Sequence, residues 1–159
     1  MTHYANRPVN FYGVSLTTKT LGVNDPEPGY RQTVGDEDYV FVYNAGNSII
    51  DKGMGCVVSA VTGYSVTVSS TTSADFLVGV AKNKSLATAE YGWVMTRGFC
   101  AIEMITASGT VAAGDLVHLA ADGEFAIVSN QTGQKDPAWG KAMAAIVSGA
   151  SGQAFINCH

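Results

Sequence analysis

From Asp38 onward the apolar positions either alternate with polar ones or gather into short runs, and Gly, Asn, Asp and Ser punctuate them. That pattern predicts short strands joined by tight turns. Tyr39-Val40-Phe41-Val42-Tyr43 stops at the turn cluster Asn44-Ala45-Gly46-Asn47. Residues 56–61 run into Thr62-Gly63, and Tyr64-Ser65-Val66-Thr67-Val68 alternates cleanly as the return strand of a hairpin. Two further strands, 93–96 and 99–104, flank Arg97-Gly98. Residues 116–119 and 125–128 flank Asp122-Gly123, a strong short-hairpin signal. Trp139, Ala142, Met143, Ile146 and Val147 also satisfy a helical spacing, so periodicity alone does not assign residues 139–146.

An internal repeat resolves that segment. At an offset of 61 residues Gly53 falls on Gly114, Gly79 on Gly140, Tyr64 on Phe125, Val66 on Ile127 and Ala81 on Ala142. One deletion later Gly92 falls on Gly152 and Met95 on Phe155. The chain thus reads as two duplicated half-units, about 50–104 and 111–158. The counterpart of 139–146 is Phe76-Leu77-Val78-Gly79-Val80-Ala81, which is strand-like, so 139–146 is predicted as strand. The pattern leaves room for a short helical turn near residues 85–89.

Residues 1–33 lack sustained alternation and hold three of the four prolines, Pro8, Pro26 and Pro28. They form a candidate N-terminal arm ahead of a β-rich domain over 34–159. The arm carries Arg7, Lys19 and Arg31 against Asp25 and Glu27, a charge of +1, which leaves −5 on the rest of a chain of net charge −4. Its aromatics Tyr4, Phe11, Tyr12 and Tyr30 suit an arm that docks on a neighbour, because aromatic side chains dominate interface energetics. They equally suit a strand and loop folded on its own domain, and the sequence does not decide between the two.

Composition narrows the function classes. The 159 residues hold 18 Gly and only 14% charged side chains, against about 25% in an average protein. The acidic balance offers no electrostatic drive toward nucleic acid. No apolar run reaches the ~18 residues of a membrane helix, and the N-terminus lacks a signal-peptide layout. Three cysteines (Cys56, Cys100 and Cys158) form no C-x-x-C pair and read as buried, reduced thiols of a protein made in a cytoplasm.

The constellations that catalysis needs are missing. His3, His118 and His159 stand far apart and outside any metal-ligand spacing, and His118 reads as a sheet-face residue. Gly149-Ala150-Ser151-Gly152 has the wrong spacing for a nucleophile elbow, and no phosphate loop occurs. Asp36-Glu37-Asp38 reads as a solvated turn, and Glu103 as a polar-face strand residue without a named partner. The Gly114-Asp115 turn has the shape seen in biotin and lipoyl carriers, but neither hairpin tip carries the lysine a carrier needs. No catalytic, cofactor or metal residues are assigned, and the chain is read as a non-enzyme.

Taken together, Gly79-Val80-Ala81, Ala89-Glu90-Tyr91-Gly92-Trp93-Val94, Arg97-Gly98-Phe99-Cys100-Ala101, Ala113-Gly114-Asp115-Leu116-Val117 and Trp139-Gly140-Lys141-Ala142-Met143 through Phe155-Ile156-Asn157-Cys158 resemble the capsid decoration (cement) proteins of tailed bacteriophages. The resemblance spans about residues 38–158. It implies an all-β, β-sandwich or β-tulip-like domain with an extended N-terminal arm. It also implies a homotrimer on the outer surface of the virion, made in the bacterial host cytoplasm. The implied partner is the major capsid protein, whose mature lattice the chain would stabilise, with no nucleic acid, membrane or cofactor involved. In this setting Phe11, Tyr12, Tyr30 and Arg31 are the expected capsid contacts. The alternative is a β-rich adhesion or receptor-binding module, such as a head fiber or tail spike component, with Trp93 and Trp139 as candidates for a sugar-binding cleft.

Overall fold

The computed structural model describes residues 17–21, 25–60, 64–68, 77–105, 109–128 and 138–158. These residues form β1 (Thr17–Thr18), β2 (Arg31–Val34), β3 (Glu37–Asn44), β4 (Gly55–Ala60), β5 (Ser65–Val68), β6 (Leu77–Val80), β7 (Tyr91–Glu103), β8 (Leu116–Leu119), β9 (Phe125–Ile127), β10 (Gly140–Ala142) and β11 (Ser151–Asn157). One 3-10 turn, Ala121–Gly123, joins β8 to β9. The protein is all-β, as its sequence indicates. Its strands close on themselves instead of stacking as two separate sheets.

Two rings share one strand. In the first, β3 pairs parallel with β5, β5 with β4, β4 with β6, β6 with β7, and β7 returns to β3. In the second, the far half of β7 pairs with β11, β11 with β10, β10 with β8, and β8 with β9. A parallel bridge from Phe125 to Met104, just past β7, closes it, and the Ile105 N–H donates to the Phe125 carbonyl at 2.9 Å. Both rings therefore have the same pairing order, including the single parallel contact.

Equivalent hydrogen bonds recur 60 or 61 residues apart. The Gly53 N–H donates to the Ala81 carbonyl at 2.9 Å, and the Gly114 N–H to the Ala142 carbonyl at 2.8 Å. Both glycines have φ +94, a conformation that a side chain rarely adopts. Ile50 and Leu86 exchange bonds at 3.0 and 2.9 Å, and Val111 and Ile146 do so at 2.9 Å. Gly79 and Gly140 lie so close to the next strand that a Cβ would stand 2.8 Å from the carbonyl oxygens of Met95 and Phe155 respectively.

Several local expectations change. Arg97-Gly98 is not a turn, because β7 runs through it for 13 residues. Arg97 is paired on both sides, with Asp38 and with Asn157, so the ladder has no reason to stop there. Gly98, at φ +134, marks where β7 leaves the first ring for the second. Residues 139–146 hold a strand only over Gly140–Ala142, followed by a turn and the Val111–Ile146 bridge. No helix forms near 85–89, where Leu86 bridges to Ile50. Val66 rather than Tyr64 holds the place of Phe125: Val58 pairs with Val66 as Leu119 does with Phe125, and Asn44 with Val66 as Met104 does with Phe125.

The core follows this plan. Val40, Val42, Ile50, Cys56, Val66, Ala81, Leu86 and Val94 fill the first barrel. Cys100, Ile102, Met104, Val111, Val117, Phe125, Ala142, Ile146, Ala154 and Ile156 fill the second. The latter merge with the outward-facing residues of the first barrel, Tyr39, Phe41, Val57, Leu77, Val80, Trp93 and Met95, in one cluster. The first barrel is thus apolar on both faces of its wall, and the second barrel's rim sits against that wall.

Candidate functional site

Of the four residues expected to touch a capsid, Phe11 and Tyr12 lie outside the described residues. Tyr30 and Arg31 are on the body of the protein. Arg31–Val34 pairs antiparallel with β3, so the boundary drawn at residue 33 falls inside a strand. The Gly29 N–H donates to the Phe41 carbonyl at 2.7 Å, and the Phe41 N–H to the Tyr30 carbonyl at 2.8 Å. The Tyr30 ring meets Trp93 edge-on at 6.2 Å. Thr17–Thr18 pairs with the start of β7, which brings the chain back to the same barrel.

Beside β2 lies a cleft of about 270 Å³ lined by Arg31, Gln32, Thr33, Asp38, Tyr39 and Thr96. Several polar groups here are engaged with one another, while the buried Gln32 Oε1 has no hydrogen-bond partner among the described residues. The Thr33 hydroxyl donates to Asp38 at 2.6 Å, Arg97 approaches Asp38 at 3.6 Å, and Lys82 forms an ion pair with Glu37. The Tyr39 hydroxyl donates to Glu37 at 2.5 Å. Burial, reinforced by Glu37, pushes the Tyr39 phenol up, so it stays protonated. Two of the three acidic-triplet residues are therefore tied into the barrel seam instead of standing in a solvated turn. The Thr33–Asp38 and Arg97–Asp38 contacts tie β2, β3 and β7 together.

The thiols are equally quiet. Burial raises Cys56 and Cys100 to about 12, and it raises Cys158 as well. A thiol held protonated is a poor nucleophile and metal ligand. Among the described residues no group of three His, Cys, Asp or Glu could hold a metal ion. His118 lies buried on β8, its Nδ1 2.9 Å from the Leu119 carbonyl. Trp93 is also buried, which removes it as the floor of an open sugar cleft, whereas Trp139, though mostly buried, lines a shallow groove.

The feature that the sequence reading did not single out is the outer wall of the second barrel. Leu116 faces Lys141, Lys141 faces Phe155, and Phe155 faces Phe99, a row across β8, β10, β11 and β7. The two Phe rings meet at 5.1 Å in a T-shape. Leu116 and Phe99 are 49% and 50% exposed, and Met143 beyond them is also exposed. A shallow groove of about 230 Å³ runs alongside, between Leu116, Trp139, Lys141 and Phe155. Alternating Phe99, Ala101 and Glu103 against Cys100, Ile102 and Met104 was the available signal. It places Phe99 on the face opposite the core. Such an apolar row can bind another surface but performs no chemistry.

No model of a known protein family matches this chain, and no curated protein does either. Its fold is similar to two solved structures. One is the N base of the head fiber gp8.5 of bacteriophage phi29, with a TM-score of 0.51 and 13% identity over 75% of this chain and 94% of that one. The other belongs to the capsid of Myoviridae phage XM1, with a TM-score of 0.58 and 14% identity over 86% of this chain and 94% of that one.

Proposed function

We propose that this chain is a structural protein of a phage head, a decoration or cement protein bound to the outside of the major capsid protein lattice. The observation that carries this reading is the fold shared with a capsid chain over 86% of the sequence. The engaged polar groups of the β2 cleft and the protonated thiols agree with a protein that works by binding. Binding that favours the mature lattice raises its resistance to heat and pressure by linkage. Contacts repeated on several subunits multiply through effective concentration. In this reading the N-terminal residues, with Phe11 and Tyr12, reach a neighbouring capsid subunit, and Tyr30 and Arg31 border that contact from the barrel edge.

A second reading, the base of a head fiber, draws on the likeness to the phi29 fiber base. One experiment separates them. Purified protein is co-sedimented with mature heads of its own phage prepared without it, and bound copies are counted. Saturation at a number matching lattice three-fold sites is the expected result. Saturation at a few copies per head selects the fiber reading, and no binding removes both. Deletion of residues 1–16, which stops short of β1, abolishes binding without unfolding the barrels. Undiminished binding by that variant refutes the role of the arm.

A further inference from the structure

In each barrel the return strand of the hairpin is entered through a residue in the left-handed backbone region, and the two barrels use different residues there. The second barrel uses Gly123, at φ +79. The first uses Tyr64, at φ +48, which precedes Val66 by two positions as Gly123 precedes Phe125. Glycine adopts this backbone without strain, and a bulky side chain rarely does. The turn therefore does not call for tyrosine. The core does not call for it either, because Tyr64 is 41% exposed. Its ring lies on Gly29, itself at φ +95, where a Cβ would run into the ring. A strained, exposed aromatic residue that a glycine makes room for is a backbone outlier of the kind that function retains.

Tyr64 belongs to a larger patch. Its carbonyl accepts the Tyr43 N–H at 3.2 Å, and the Tyr43 ring meets Tyr91 at 4.7 Å. Tyr91 stacks on Phe41 at 6.2 Å, Phe41 meets Trp93 at 5.1 Å, and Trp93 meets Tyr30 at 6.2 Å. Tyr30 follows Gly29, which brings the series back to the Tyr64 ring. Phe41 and Trp93 form the buried floor, Tyr43 and Tyr91 are half-buried, and Tyr30 is exposed like Tyr64. From this we infer that the tyrosine patch of the first barrel is a protein-docking surface whose occupant is the capsid subunit that residues 1–16 reach. The occupant follows from where those residues join the barrel. Thr18 pairs with Tyr91, so a partner held by the residues before β1 is tethered at the edge of the patch. Tethering raises the effective concentration of a second contact with the same partner. Rings that end in hydroxyls supply large apolar area with few rotors to freeze, as interface anchors do. The inference rests on the phage-head reading and adds to it the face that turns toward the lattice.

The test titrates mature heads lacking the protein with the full chain, unaltered and as Tyr64→Gly, Tyr64→Asn and Tyr64→Phe. Tyr64→Gly gives the first barrel the residue of the second and relieves the backbone. It is expected to weaken head binding by about tenfold or more, as loss of a central interface residue does, while circular dichroism shows the fold retained. Tyr64→Asn also tolerates the left-handed backbone and is expected to weaken binding equally, which covers the case in which glycine loosens the hairpin. Tyr64→Phe keeps the ring and is expected to keep most of the affinity. Hydroxyl-radical footprinting reads the same face without a substitution: oxidation of Tyr30 and Tyr64 is expected to fall when the chain is bound to heads. Failure of the unaltered chain to sediment with heads overturns the phage-head reading and this contact with it. Normal binding by the unaltered chain, by Tyr64→Gly and by Tyr64→Asn, or undiminished oxidation of both tyrosines on heads, overturns the patch alone and leaves that reading standing.

Discussion

At equivalent places on their outer walls the first barrel holds Gly55, Val80, Met95 and Tyr39, and the second holds Leu116, Lys141, Phe155 and Phe99. Backbone pairing is the same, so the difference lies in what each wall faces. The first is pressed under the other barrel and has become apolar on both sides. Its strands read as unbroken runs, Tyr39-Val40-Phe41-Val42 and Trp93-Val94-Met95, all buried. The second keeps one face free, and β11 alternates accordingly, with only Ala154 and Ile156 fully buried. Strands buried on both faces lose alternation, whereas strands with one wet face keep it. One topology thus carries two hydrophobic patterns, and the environment of the wall selects between them.

Exchanging residues between the walls tests this most severely. Val80→Lys gives the first wall the lysine of the second and buries an ammonium beneath the other barrel. The expected cost is more than about 4 kcal/mol, read from urea unfolding. The reverse exchange, Lys141→Val, is expected to change stability by no more than about 0.5 kcal/mol, as exposed positions do. A Val80→Lys cost near that of a surface substitution would mean that water reaches the first wall and that the two walls are alike.

Gly55→Leu comes next. The added side chain meets Leu77, Leu119 and Phe125, and overpacking of this kind costs about 3 kcal/mol. Its mirror, Leu116→Gly, removes a half-exposed side chain and costs about 1 kcal/mol through lost strand propensity. Calorimetry of both variants gives the ratio. Equal costs would contradict the burial difference.

The same contrast explains what could be read from the sequence. The hairpin signals at Thr62-Gly63 and Asp122-Gly123 lie within local sequence, and β4–β5 and β8–β9 both form. Glycines at one offset carried the repeat because φ +94 at Gly53 and Gly114, and the strand crossings at Gly79 and Gly140, tolerate little else. Arg97-Gly98 misled because a glycine that lets a strand change barrels looks the same as one that ends a strand. The exposed wall was hidden for a different reason. Phe99 and Leu116 stand 17 positions apart, and only the pairing of β7, β11, β10 and β8 brings them into one row. Tyr30 and Arg31 were legible as residue types suited to contact, but the placement of Arg31 on an edge strand and of Tyr30 just before it depends on β3.

The barrel ends differ as well. Asn44 closes the first barrel by donating from Nδ2 to the carbonyls of Ser48, Leu86 and Ala87 at 3.0, 3.0 and 3.2 Å, while its Oδ1 accepts the Gly46 N–H at 3.0 Å. Met104 holds the same place in the second barrel and packs in the core. Asn44→Met imports that residue but strips buried carbonyls of their donor, so a loss of about 2 kcal/mol is expected in chemical unfolding. A neutral result would show that the end of the first barrel, like that of the second, tolerates an apolar plug.

The smallest effect concerns the barrel interiors and emerges only in alkali. Cys56 occupies the place of Val117, and Cys100 the place of Val40. The Cys56 thiol donates to the Gly79 carbonyl at 3.4 Å, and burial raises both thiols to about 12 from an ordinary value of 9.0. Between those values the unfolded chain gives up thiol protons that the folded chain keeps. The folded state then binds more protons, so stability falls as pH rises. The contribution is intact below about pH 9, and about 1.4 kcal/mol of it per thiol is lost by pH 10. Cys56→Val and Cys100→Val each give one barrel the residue of the other. Each is expected to flatten the decline in Tm between pH 8 and 10 while changing stability at pH 7 by less than about 1.5 kcal/mol. Cys158 and Tyr39, raised in the same direction, leave a residual slope in the double variant. An unchanged slope in both single variants would show that the two interiors do not hold their thiols protonated and that the decline originates elsewhere.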